Sequence, residues 1–111
     1  MIKIGLGDAG VAKLAEYLVE NHTLKTLKLV KNKITDEGAQ ALIEALYYNN
    51  GIRALNLGSN LLTERTLDAF IDLLKTKNTI KTLHFNQNCA GTTSLRQKVK
   101  EITKLGVNIV M

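Results

Sequence analysis

The residues with the plainest chemical potential stand near the start of the chain. Gly5, Gly7 and Gly10 form G-x-G-x-x-G between a short apolar segment and a helical stretch. That spacing lets a backbone approach a pyrophosphate at a helix N-terminus, as in dinucleotide sites. His22, His84 and Cys89 are the only imidazoles and the only thiol. A nucleophile would need a base held against it, and zinc would need nitrogen and sulfur donors at paired spacings. Neither pattern occurs. Cys89 follows an asparagine and reads as a small core or turn residue. The carboxylates all lie in helix-like stretches, so none converges with a histidine. No catalytic residue, cofactor or metal is expected.

The glycines have a simpler origin. A shift of 28 residues lays LGDAGVAKLAEYLVEN (6–21) on ITDEGAQALIEALYYN (34–49), with Asp8 on Asp36, Gly10 on Gly38, Leu14 on Leu42, Glu16 on Glu44 and Leu18 on Leu46. Too few residues precede Gly5 to make the strand a dinucleotide site needs. The same shift organises the rest of the chain. Leu24, Leu27, Leu29, Asn32 and Ile34 recur as Ile52, Leu55, Leu57, Asn60 and Leu62, and then as Ile80, Leu83, Phe85, Asn88 and Ala90. Three matches in register are a repeat array of leucine-rich type.

Strand geometry explains the pattern, because residues two apart share a face. Each L-x-L sends two apolar residues inward, which predicts short parallel strands near 26–29, 54–57, 82–85 and 107–110. Asn32, Asn60 and Asn88 fall where each strand ends. An inward asparagine there can satisfy backbone groups otherwise buried unpaired, so these three are assigned a structural ladder. Each repeat then has a helical half. Ala39, Leu42, Ile43, Ala45 and Leu46 recur at spacings of three and four, as do Val11, Leu14, Ala15 and Leu18, and again Leu67, Phe70, Ile71 and Leu74. Thr35 is placed to cap the second helix, with Asp36 and Glu37 in its first turn. Ser94 and Gln97 make a capping-box pattern that predicts a last helix from 95 to about 104, with Val99, Ile102 and Leu105 inward. A final strand should set Ile109 and Met111 in the places of Leu83 and Phe85.

The chain has 111 residues, 45% hydrophobic and 23% charged. This is the size and composition of one globular domain, 1–111, of about three and a half repeats. No apolar run is long enough to span a membrane, and MIKIGLGDAG lacks a secretory signal. With a single cysteine, the expected location is the cytoplasm, or a host cytosol for a delivered microbial effector. Met1 aligns with Leu29, in mid-repeat. The first repeat should therefore show an apolar side, which suits a piece of a longer array or a homo-oligomer joined end to end.

The net charge of +5 is unevenly placed. Segments 24–32, 52–60 and 80–88 hold Lys25, Lys28, Lys31, Arg53 and Lys81 and no acid, whereas the other ten bases balance the ten acids. Stacked strands would line up Lys25, Arg53 and Lys81, and beside them Lys28, Asn56 and His84, with Lys3 extending the basic row through Lys31. Lys25, Lys28, Lys31, Arg53, Asn56, Lys81, His84 and Asn86 are the expected partner-binding residues, facing an acidic protein. Solvated lysines that only protect the sheet from aggregation are the plainer alternative. Nucleic acid is disfavoured because the outward strand positions carry no Phe, Tyr or Trp; Tyr17, Tyr47 and Tyr48 fall in the helical halves.

The 28-residue period, the L-x-L-x-x-N core and the TDEGAxALxEAL helix resemble the ribonuclease-inhibitor-like class of leucine-rich repeats, which also occurs in NOD-like receptors and the Ran GTPase-activating protein. The resemblance implies an α/β horseshoe segment with the sheet concave, the helices convex and a protein bound on the concave side. The function expected is a non-enzymatic protein-interaction module. A structural repeat or self-assembling solenoid without its own ligand is the alternative.

Overall fold

The computed structural model describes residues 7–77, 79–88 and 93–111. Among these residues four helices alternate with four strands: α1 Gly7–Glu20, β1 Thr26–Lys28, α2 Asp36–Leu46, β2 Ala54–Asn56, α3 Glu64–Thr76, β3 Thr82–His84, α4 Thr93–Lys104 and β4 Asn108–Val110. The strands form one parallel sheet in sequence order, β1-β2-β3-β4. This is an α/β leucine-rich repeat solenoid, with helices covering one face of the sheet and the other face open.

Each strand has three residues, one fewer than the L-x-L pattern suggested. The pairing continues beyond them through single bonds such as Leu29 N–H to Asn56 O (2.8 Å) and Leu57 N–H to His84 O (2.8 Å). Leu27 pairs with Leu55, Leu55 with Leu83, and Leu83 with Ile109. These leucines are buried under the helix stripes, where Val11, Leu18, Leu42, Leu67 and Phe70 are also fully enclosed. Non-polar burial at about 25 cal/mol per Å² holds the layers together, and each helix needs its neighbours to complete its apolar face.

Several local expectations are corrected. Thr35 occupies the N-cap position of α2, but its side chain makes no cap bond. Its hydroxyl is donated to the Asp8 carboxylate instead, and its amide goes to the same group at 2.8 Å. Helix α4 begins at Thr93, two residues ahead of 95. Ile102 is buried, but Val99 is only partly covered. Met111, aligned with buried Phe85, is half exposed because β4 stops at Val110. Tyr47 is the C-cap residue of α2, so Tyr48 lies beyond the helix. Gly5, Lys3, Cys89 and Ala90 lie outside the described residues, as do the side chains on which the Ser94 cap depends.

The remaining glycines serve the repeat. Gly7 has φ of +67° and donates its N–H to Asn32 O at 2.7 Å. A Cβ on Gly38 would stand 2.3 Å from the Asp8 carboxylate, so glycine lets α1 and α2 pack closely.

Candidate functional site

The open face of the sheet is built by register. Thr26, Ala54, Thr82 and Asn108 form one row across it, and Lys28, Asn56, His84 and Val110 form the next. Between these rows lies a shallow depression of about 160 Å³ lined by Thr26, Lys28, Ala54, Asn56 and His84. Lys25, Arg53 and Lys81 stand one residue ahead of the strands, all exposed. Their backbones are tied in line: Arg53 N–H donates to Lys25 O (2.8 Å) and Lys81 N–H to Arg53 O (2.7 Å).

The two rows are not equivalent. Lys25, Arg53 and Lys81 run along the leading edge of the sheet, and the Arg53 guanidinium turns back to the carbonyls of Asn50 (2.9 Å) and Gly51 (3.3 Å). On the face itself Lys28 is the one fixed charge in its row. Asn56 is partly committed to structure, because its Oδ1 accepts the Gly58 N–H at 2.9 Å. Asn86 lies over the same spot; a Cβ on Gly58 would meet its Oδ1 at 2.9 Å. Lys31 sits in the turn after β1 with φ of 58°, aligned with Ser59 and Gln87, which share that left-handed backbone. The Ser59 hydroxyl donates to Gln87 Oε1 at 2.6 Å.

Three polar ladders support this surface. Asn60 is the clearest rung. Its Oδ1 accepts from the amides of Asn32 (3.0 Å) and Ile34 (3.1 Å), and its Nδ2 donates to the carbonyls of Leu29, Leu57 and Gly58. Asn88 repeats this for the amides of Asn60 and Leu62, and Asn32 Nδ2 donates to Val30 O at 3.1 Å. The second ladder joins helix starts. Asp36 accepts the Thr63 amide (2.9 Å), the Thr63 hydroxyl (2.5 Å) and the Thr66 hydroxyl (2.6 Å). Burial pushes the Asp36 carboxyl up, but these bonds and the charge on Arg65 outweigh it and hold its pKa below the ordinary value.

The third ladder runs along the helix ends. Asn49 Nδ2 donates to Leu18 O (2.8 Å) and Asn21 O (2.5 Å). One repeat on, the Lys77 ammonium does the same for Leu46 O (3.2 Å) and Asn49 O (2.8 Å), and adds Tyr47 O and Asn50 Oδ1. A cation is favourable at that carbonyl-rich end, while burial lowers the Lys77 pKa. The second and third ladders escaped a reading of single helices. The signal of the second was present, in the recurrence of Asp8 and Thr35 as Asp36 and Thr63; the third has Lys77 where the preceding repeat has Asn49.

Among the described residues no group of three or more His, Cys, Asp or Glu side chains could hold a metal ion. His22 Nδ1 accepts the Asn50 amide at 3.1 Å, and His84 belongs to the open row of β3. Among the described residues no helix is long and apolar enough to cross a membrane.

This geometry is that of a scaffold presenting a surface, and comparison with known proteins agrees. The profile of the TMOD/LMOD leucine-rich domain matches residues 4–110. The chain belongs to that family. It is therefore a leucine-rich repeat protein of a non-enzymatic family. Among solved structures, one described as leiomodin-1 actin-binding site 2 superposes with a TM-score of 0.81 at 23% identity. The match covers 93% of this chain and 62% of the leiomodin chain, so this chain spans less than two thirds of that structure. No curated protein matches the sequence.

Proposed function

We propose that this TMOD/LMOD-type domain is a protein-binding module that meets an acidic protein surface through the sheet side. The observation that carries the reading is the register that puts Lys25, Arg53 and Lys81 in one line beside Lys28, Asn56 and His84. Lys31 and Asn86 extend the contact toward the turns. Adjacent strands are about 4.8 Å apart, so successive cations meet successive carboxylates of a partner. Such a row steers association and weakens with salt. Nucleic acid is the weaker reading, since no Phe, Tyr or Trp side chain stands on the open rows.

The leiomodin domain with the matching fold is described as an actin-binding site, and actin is the partner this likeness suggests. The same reading places the protein in the cytoplasm and its 28-residue repeats in the ribonuclease-inhibitor-like class. The test is titration of labelled monomeric actin with the wild type and with a K25E/K28E/R53E/K81E variant, at low and moderate salt. Binding that falls about tenfold or more in the variant, and weakens with salt in the wild type, supports the reading. Unchanged binding by the variant rejects the sheet surface. Absence of binding by the wild type rejects actin as the partner.

A further inference from the structure

We infer that the groove between α1 and α2, on the side opposite the sheet face, docks a short basic amphipathic helix. The groove holds about 250 Å³, with Ala12, Ala15, Ala41 and Ala45 as its floor. Val19 and Tyr48 close one end and remain 39% and 68% exposed. The equivalents of Ala15 and Ala45 one repeat on are Ile43 and Leu73, both buried, and the depression between α2 and α3, about 340 Å³, lies instead toward the helix starts, lined by Asp36, Glu37, Gln40, Ile43, Arg65 and Thr66.

Charge complementarity names the occupant. Glu16 and Glu44 stand on the groove's rim, with Glu20 exposed on α1, whereas Glu37 faces the α2–α3 side. Asp8 and Asp36 are turned into the threonine ladder. Lys13 is the single base on α1 and α2. Helix α4 has the opposite balance, with Arg96, Lys98, Lys100 and Lys104 against Glu101. Helix α3 carries Glu64, Asp68 and Asp72 against Arg65 and Lys75, so the excess of acid is largest on α1 and α2. A guest helix would seat small or apolar residues at i, i+3, i+4 and i+7 on the alanines and bring flanking Lys or Arg to the rim glutamates. From Ala12 to Val19 the floor is about 10 Å long at 1.5 Å per residue, room for two turns.

The experiment uses the whole chain and a labelled synthetic helix-forming peptide with an Ala/Leu stripe flanked by lysines, plus a twin with glutamate for lysine, read by fluorescence anisotropy. The wild type should bind the lysine peptide and not the twin. E16K/E44K should lose about tenfold or more and gain the twin, while the sheet-side charge reversal leaves both unchanged. A12Y, which fills the floor at an exposed position, should also lose the lysine peptide, with circular dichroism checking its fold. No binding of the lysine peptide, equal binding of both peptides, or loss only in the sheet-side variant overturns the proposal. So does a concentration-dependent dimer abolished by E16K/E44K, which would make a second copy the occupant.

Discussion

Asp36 in one repeat accepts both the amide and the hydroxyl of Thr63 in the next, at 2.9 and 2.5 Å, and so fastens the start of α2 to the start of α3. Its depressed pKa carries a definite sign. The stability it contributes is present above the unfolded carboxylate pKa and is lost as pH falls through the folded one. Asp36→Ala should lower unfolding free energy at neutral pH by about 1–2 kcal/mol. Urea midpoints followed from neutral pH into the acid range should converge with the wild type once Asp36 is protonated. An undiminished gap in strong acid would show that packing, not charge, carries the effect.

Asn60 is buried and holds two amides and three carbonyls. Asn60→Ala strands groups from two repeats and should cost about 3 kcal/mol or more. Asn60→Asp should not rescue it, because a carboxylate cannot donate to the carbonyls of Leu29 and Leu57. Chemical denaturation of both variants checks this; a stable aspartate variant would refute the donor role.

Lys77 replaces, one repeat on, the capping function of Asn49. Lys77→Met keeps length but removes the donor, and should cost about 1 kcal/mol. Lys77→Asn should recover part of that loss. Thermal unfolding of the pair separates capping from mere coverage by the lysine stem.

Gly51 is buried against the preceding repeat, and a Cβ there would stand 2.3 Å from His22 O and 2.6 Å from its carbonyl carbon. Backbone cannot yield as a flexible side chain does. Gly51→Ala should therefore destabilise by about 1–3 kcal/mol, measured as a fall in the urea midpoint.

Lys33 is exposed and has φ of 56°, a left-handed conformation that costs a non-glycine residue roughly 1–2 kcal/mol. Lys33→Gly should raise unfolding free energy by up to about 1 kcal/mol. Thermal melts check the direction, and a lowered midpoint would mean that the lysine side chain contributes more than its backbone costs.

By itself the sequence determined what depends on spacing within one repeat. The 28-residue recurrence, the inward leucines, the helix stripes and the asparagine at each strand end all follow from the periods of strand and helix. Leu83 opposite Ile109 follows from the same alternation despite the shorter last repeat. Tertiary structure decided whatever depends on a partner about 28 residues away. Thr35 had the backbone position of a cap, but the nearest strong acceptor for its hydroxyl is Asp8 in the preceding helix. Asp36 read as a dipole partner for its own helix and serves the next one, and Lys77, at the end of α3, closes the previous one. Arg53 bends back to a turn, so the basic positions divide between an edge and a face. The groove between α1 and α2 arises where Ala15 and Ala45 come together, each unremarkable in its own helix. Local periodicity is written in one dimension, whereas these contacts depend on how far apart the stacked helices stand, and that distance is set by the whole core.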